Sequence, residues 1–252
     1  DALDIFLINL DRSTDRLREF TAVNDFLGPV HRFPAVDGAA LSVPNLVERK
    51  LVEPGIGTFY TKGALGNAFS HLVLWERVAS QPDSITVCED DAIFHRDFRA
   101  TSERLLAGIP ADWDIVMWGW NYDSPLEIRM PGLTTAVLLC DYTAVQVRTA
   151  EFQSYALSPV LLPLRQAFGL ACYSISPSGA QKLRSFCLPI RAMSIPCRGA
   201  KGGGVVPNIG IDLMMSAAFR HINAFVSVTP LVISTNEWNR STVRGLVTQA
   251  VP

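Results

Sequence analysis

The chain lacks the short fingerprints that would name its chemistry directly. No G-x-G-x-x-G follows the first apolar run, and there is no Walker A, G-x-S-x-G or H-E-x-x-H segment. Nothing therefore points to a dinucleotide, P-loop, α/β-hydrolase or zincin site. No apolar stretch approaches the roughly 20 residues needed to span a bilayer. The first ten residues carry Asp1, Asp4 and Asn9 and do not read as a signal peptide. Cysteine is scarce: Cys88, Cys140, Cys172, Cys187 and Cys197 are odd in number, and no two have CxxC spacing. That argues against a zinc site or a full disulfide framework and predicts reduced, mostly buried thiols in a cytosolic protein. A net charge of -2 leaves no electrostatic footprint for nucleic acid.

What is present is core. Of 252 residues, 48% are hydrophobic and 18% charged, enough for one large α/β domain and too apolar for disorder. Leu3 to Leu10 reads as a first buried strand, and Ser13 or Thr14 as the N-cap of a helix running to about Phe26. Val30 to Val36 is a second strand, and residues 39–60 read as irregular. Lys62 to Ala79 has the clearest helical period, through Leu65, Phe69, Leu72 and Ala79. A strand at Ile85–Cys88, a polar helix over Asp97–Ala107 and a strand at Asp114–Gly119 follow. Thr135–Cys140 and Gly169–Ile175 are further candidate strands. Ser176-Pro177 opens a helix, with an N-cap followed by proline at the first helical position. A short helix begins at Asp212 and runs to His221. The alternation in the first half predicts a mainly parallel sheet with helices on both faces.

The most informative segment is Ser84-Ile85-Thr86-Val87-Cys88-Glu89-Asp90-Asp91. A β-branched strand ends in three adjacent carboxylates, at the strand end where open α/β sheets bind ligands. Such carboxylates repel one another unless a cation sits among them. A divalent metal carrying a phosphate-bearing ligand is one reading, and a solvated acidic turn is the other.

Four further features invite a similar choice. Asn67, Ser70 and His71 share one side of the 62–79 helix, where His71 is either a ligand contact or a satisfied structural histidine. Gly66 costs that helix on the order of 1 kcal/mol against alanine and suggests close approach by backbone or ligand. Arg12 and Arg16, four apart, either face an anion such as a diphosphate or are solvated helix charges. Asp212 follows the glycine-rich stretch Gly199–Gly204 and Gly210, and is either a helix cap or a general base under a mobile loop. Asp114 and Glu237 are the next carboxylates to consider for that base. Asn239-Arg240-Ser241 matches a glycosylation acceptor, a pattern frequent by chance.

In this order, the pieces resemble glycosyltransferase family 25, whose members include bacterial lipopolysaccharide and collagen galactosyltransferases. The resemblance is carried by Ile8–Arg16, by Ala35-Val36-Asp37-Gly38, and above all by Gly63–Glu76. Glu89–Phe94, Asp112–Val116 and Tyr173–Ala180 continue it. It spans about residues 5–220 and fades over 121–168 and beyond Asn236, where Arg240-Ser241-Thr242 is only weakly similar. It implies a GT-A-like Rossmann-type α/β/α sandwich forming a single domain over 1–252. About 1–120 would be the nucleotide-sugar half and about 121–252 the acceptor half. It implies a UDP-sugar donor (UDP-galactose foremost), Mn²⁺ or Mg²⁺, inversion at the anomeric carbon, and a saccharide or glycoconjugate acceptor. Asp91, with Glu89, would hold the metal. Asn9, Arg12, Arg16, Asp37, Gly66, Ser70, Glu89 and Asp90 would line the donor site. Asp212 would be the base, with His71 beside the diphosphate or the sugar. A cytoplasmic enzyme, peripheral to the inner face of a membrane, fits that picture.

Overall fold

A computed structural model describes residues 3–130, 132, 134–141, 148–199 and 204–234. The first apolar run forms β1 (Asp4–Asn9), followed by α1 (Thr14–Val23) and β2 (His31–Pro34). Helix α1 stops short of Phe26 because Asn24 ties its end to the strand at Ala92–Phe94. The Asn24 amide donates to Phe20 O and to Ala92 O at 3.0 and 2.9 Å, and its oxygen accepts from Phe94 N–H at 2.9 Å. A short 3-10 turn then covers Asp25–Leu27. The 39–60 stretch is more regular than its composition predicts. It contains α2 (Val43–Glu48), with Pro44 in the first turn, where its missing N–H costs nothing.

Helix α3 (Lys62–Ala79) matches the apolar period at both ends, and the Thr61 hydroxyl caps it by accepting from Ala64 N–H at 3.0 Å. The chain continues through β3 (Ile85–Glu89), β4 (Ala92–Phe94), α4 (Phe98–Leu106), β5 (Ile115–Gly119), β6 (Leu126–Arg129) and β7 (Thr135–Leu138). Then come α5 (Thr149–Phe152), β8 (Val160–Gln166), β9 (Cys172–Ile175) and α6 (Pro177–Cys187). Ser176 caps α6 by accepting from Gly179 N–H at 3.0 Å, as its Ser-Pro start predicts. The last elements are β10 (Ser194–Pro196), β11 (Val205–Pro207), α7 (Ile211–Ala218), β12 (Ala224–Val228) and β13 (Val232–Ser234).

Among the described residues, nine strands form one sheet in the order β2-β1-β3-β9-β5-β12-β8-β6-β7. The pairings orient β2, β1, β3, β5, β12 and β6 one way and β9, β8 and β7 the other. The sheet is thus mainly parallel in direction, with β9 inserted antiparallel between β3 and β5. Strands from before and after residue 120 interleave, so the two stretches share one sheet. Beyond β12 the pairing becomes wholly antiparallel, where the alternation of strand and helix in the sequence had already ceased.

Both faces of the sheet are buried. Ile85, Val87, Ile115, Met117, Tyr173 and Ile175 pack on one side with α3, α6 and α7. Their alternating neighbours Ile5, Leu7, Cys88, Val116, Trp118 and Cys172 pack on the other with Phe20 of α1 and Phe98 of α4. This is the period of two that puts successive side chains on opposite faces. The Rossmann-like α/β/α layering is therefore present. Cys88, Cys172 and Cys187 are buried free thiols and Cys140 a half-buried one, as their spacing predicts. Among the described residues, no helix is long and apolar enough to cross a membrane.

Candidate functional site

Strands β1 and β3 run side by side and end together, with Ile8 opposite Glu89. Because β9 runs against β3, its entry loop Gly169–Ala171 reaches the same edge, where Glu89 N–H donates to Ala171 O at 3.2 Å. The starts of α1 and α7 and the first half of α3 complete the rim. A cavity of about 530 Å³ opens there. Its lining includes Asn9, Arg12, Arg16, Asn67, Ser70, the triplet Glu89-Asp90-Asp91, and Asp212. Residues far apart in the chain, from Asn9 to Asp212, thus meet at one sheet edge.

The three carboxylates of the triplet are treated differently. Asp90 is fully engaged: Arg16 Nε donates to its Oδ1 at 2.8 Å, a second Arg16 nitrogen pairs with the same oxygen, and Asn9 Nδ2 donates to Oδ2 at 2.7 Å. Glu89 accepts from Asn67 Nδ2 at 2.7 Å, with His71 Nε2 at 3.7 Å from the same oxygen. Burial works against its charged form. The His71 ring, the Asn67 amide and the Arg16 guanidinium nevertheless hold its carboxyl below the usual range.

Asp91 is the exception. Its Oδ2 accepts from Ser234 Oγ at 3.2 Å, but its buried Oδ1 has no partner, and Arg16 is 3.9 Å away. Burial and the neighbouring Glu89 charge push its carboxyl up to about 6 from 3.8, with Arg16 opposing. An unpaired buried carboxylate oxygen beside two other carboxylates is a place for a cation. A hard divalent ion fits it. Among the described residues, no three His, Cys, Asp or Glu side chains gather as a complete cage. Mg²⁺-like ions are usually held by one or two carboxylates plus substrate phosphates, not by an all-protein cage.

The other candidates divide. Asn9 sits in the cavity wall, but its amide is spent on Asp90 and Ser13 O, and its oxygen on Arg32 Nε. It therefore braces the site. Arg12 lies at the rim in an exposed ion pair with Asp37, the kind that contributes about 0–1 kcal/mol and exchanges readily. Asp37 itself is outside the lining and caps the 3-10 turn at Gly38–Ala40 by accepting from Ala39 N–H at 2.9 Å. Ser70 reaches the wall but is fully buried, accepting from Val36 N–H and donating to Gly66 O, both at 2.8 Å. Gly66 has the close approach its position suggests, and to backbone. A Cβ there would lie 2.6 Å from both Gly38 N and Val36 O.

His71 departs from expectation. It is wholly buried and lines no part of the cavity, so it cannot touch a diphosphate or a sugar. Helix position alone placed it beside Ser70; packing against Tyr173 turns it inward, with Nδ1 2.7 Å from the Tyr173 hydroxyl. Asp212 lies in the first turn of α7 and accepts from Gly169 N–H at 3.0 Å. Burial raises its carboxyl pKa, with the Gly169 hydrogen bond opposing.

The two described ends of the glycine-rich stretch follow β10 and precede β11, which pair antiparallel. Cys197 N–H donates to Gly204 O at 2.7 Å, and Gly199 backs onto Val137 and Pro125. Residues 200–203 lie outside the described residues, as do Glu237, Asn239 and Arg240-Ser241-Thr242. Asp114 is spent elsewhere. Both its oxygens are 2.8 Å from Lys182 Nζ, and it accepts from Asn223 N–H at 2.8 Å. Sequence reasoning missed Ser234, which reaches Asp91 only because β13 pairs with β4, and nothing local marks it.

Comparison with known proteins gives the family. The family model described as glycosyltransferase family 25 (LPS biosynthesis protein) matches residues 2–195. A Glycosyltransferase 25 family member of Anopheles gambiae is 34% identical over 130 residues, 46% of this chain and 21% of its own length. The Homo sapiens protein named Inactive glycosyltransferase 25 family member 3 is 31% identical over 150 residues, 53% of this chain and 25% of its own. Procollagen galactosyltransferase 2 of Mus musculus is 26% identical over 191 residues, 71% of this chain and 27% of its own. The matched stretches make up between about a fifth and about a quarter of these relatives. With the family pattern continuous from β1 into β10, the chain belongs to glycosyltransferase family 25.

Proposed function

We propose that this chain is a GT-A-type transferase. It would bind a UDP-sugar with Mn²⁺ or Mg²⁺ in the cavity and pass the sugar, galactose first among candidates, to a saccharide or glycoconjugate hydroxyl with inversion. The observation that carries this reading is the orphaned Oδ1 of Asp91 beside two carboxylates that are already compensated. Asp91 would hold the ion, with Glu89 nearer the ribose or a bound water. When bound, such an ion offsets the charge of the diphosphate leaving group.

The chain's own groups supply the rest. Asp90, neutralised by Arg16, keeps the turn rigid and adds no repulsion toward the phosphates. Arg12, loosely held by Asp37, is free to exchange that partner for a phosphate oxygen. Asp212 takes the proton of the acceptor hydroxyl, and its raised pKa makes it the stronger base. The acceptor oxygen bonds to the anomeric carbon while the carbon–oxygen bond to UDP breaks, its electron pair leaving on the diphosphate.

The test is incubation with single UDP-sugars and Mn²⁺, following slow release of UDP. Metal-dependent release from one sugar nucleotide supports the reading; no release from any, with no acceptor-stimulated transfer, sinks it. A second reading is a carbohydrate-binding relative without turnover, favoured by the name of the human relative. Saccharide binding without UDP binding would select it.

A further inference from the structure

His71 is removed from any ligand by the fold, yet it stands directly behind one that faces the cavity. Its Nε2 faces Glu89 Oε1 at 3.7 Å, longer than a hydrogen bond, and has no hydrogen-bond partner among the described residues. On its far side, Nδ1 is 2.7 Å from the Tyr173 hydroxyl, which is also 2.9 Å from Trp75 Nε1. Trp75 and His71 are four apart on α3 and lie on one side of the helix. Tyr173 enters between them from β9. Trp75, Tyr173 and His71 are all fully buried.

The hydrogens in this chain can be assigned by elimination. The indole N–H of Trp75 only donates, so the Tyr173 oxygen accepts there. The single hydroxyl hydrogen of Tyr173 then needs an acceptor in a dry core, and His71 Nδ1 is in reach. An imidazole that accepts at Nδ1 carries its hydrogen on Nε2, which faces Glu89.

We propose that Trp75, Tyr173 and His71 form a buried positioning chain that fixes the His71 Nε2–H tautomer and aims it at Glu89. Helix α3 then presents two N–H donors, Asn67 and His71, to one oxygen of Glu89. Among the described residues no hydrogen bond involves Oε2, which is left for a hydroxyl of the ligand. His71 is a positioning residue, because it acts only through Glu89. The proposal rests on the donor-site reading given above.

Two measurements test it. The first needs no ligand: ¹⁵N ring shifts of His71 in the labelled protein, identified by its loss in the His71→Gln variant. The Nε2–H tautomer is expected, and the Nδ1–H tautomer would overturn the chain.

The second compares His71→Gln with His71→Asn by calorimetry, using UDP and Mn²⁺, with melting recorded for both. Glutamine keeps a donor near the position of Nε2 but loses the acceptor for Tyr173. Asparagine keeps the acceptor and loses the donor. The positioning role predicts binding within about threefold of wild type for glutamine. For asparagine it predicts binding weaker by about tenfold or more, because the Glu89 carboxylate loses an N–H dipole aimed at it. A purely structural histidine predicts the reverse order, and equal binding by the two variants would also overturn the role. Should wild type itself fail to bind UDP, the donor-site reading falls, while the ring shifts still decide the tautomer. Should neither variant fold, those shifts in the wild type, with His71 then assigned by through-bond correlation to its own backbone, decide alone.

Discussion

Two carboxylates, the buried Asp114 before β5 and the half-buried Asp91 after β3, are handled in opposite ways. At Asp114 both oxygens meet Lys182 Nζ and one also accepts a backbone N–H, so little hydrogen-bonding capacity is left over. The result locks β5 to α6 and to the turn before β12. At Asp91 one oxygen has a single weak donor and the other has none, while like charges stand on both preceding residues. A fully compensated carboxylate holds a fold together, whereas an uncompensated one stores affinity for something not in the chain. Asp212 falls between them, with backbone donors such as Gly169 N–H and a raised pKa, in the cavity wall.

The sharpest way to break this comparison is Asp91→Asn. It should abolish Mn²⁺-dependent UDP binding, a loss of at least about 100-fold, of the order reported when metal-site partners are lost. Calorimetry showing unchanged affinity would remove Asp91 from the site. In the metal-free protein the same substitution should act the other way on stability. Because the folded-state pKa lies above the unfolded value, the folded state holds the proton more tightly. Stability conferred by that proton is present below about 4 and lost as pH rises through about 6. Metal-free wild type should therefore lose stability across that window. The Asp91→Asn variant should lose less, melting higher than wild type at pH 7 by an amount on the order of 1 kcal/mol. Melting curves at pH 4, 5, 6 and 7 check this.

Next in size is Asp212→Asn. Turnover should fall by about 10² to 10⁴ while UDP and Mn²⁺ affinity stay near wild type. Normal turnover would reassign Asp212 to holding Gly169 in place. Asp114→Asn should do the opposite: it should lower stability by about 2 kcal/mol and leave UDP affinity unchanged in the folded fraction. Denaturant unfolding beside UDP titration separates the two. The smallest effect expected is Gly66→Ala. Helix propensity favours it by about 1 kcal/mol, but the added Cβ would press on the backbone at Val36 and Gly38, an overpacking cost of about 1–3 kcal/mol. A net loss of about 1 kcal/mol is expected, and a gain in melting temperature would show that the turn yields.

Much of the framework is legible from local pattern alone. Helix α3 runs from Lys62 to Ala79 as its apolar period predicts, and Ser176-Pro177 starts α6. The strand ending in Glu89 stops where its β-branched run gives way to charge. These depend on periodicity and on capping groups within a few residues, which a linear sequence displays. The short helix at Val43–Glu48 escaped notice because its stretch is dense in proline and glycine, and its proline falls where a helix tolerates one.

The sequence by itself determined which residue types stand at the strand end: three carboxylates in a row, a polar stripe on α3, and the close-packed glycines. Only the tertiary structure decided what each of them is for. Charge compensation depends on partners brought from afar: Arg16 to Asp90 across 74 positions, Ser234 to Asp91 across 143, Tyr173 to His71 across 102. Before folding, Glu89, Asp90 and Asp91 are three solvated acids of like kind. Burial makes each hydrogen bond count, and the supply runs out at Asp91. The helical period placed His71 next to Ser70, but the antiparallel strand β9 set its Tyr173 hydroxyl where the ring had to turn inward. That strand crosses the sheet between β3 and β5, and no local signal within residues 172–175 foretells its neighbours.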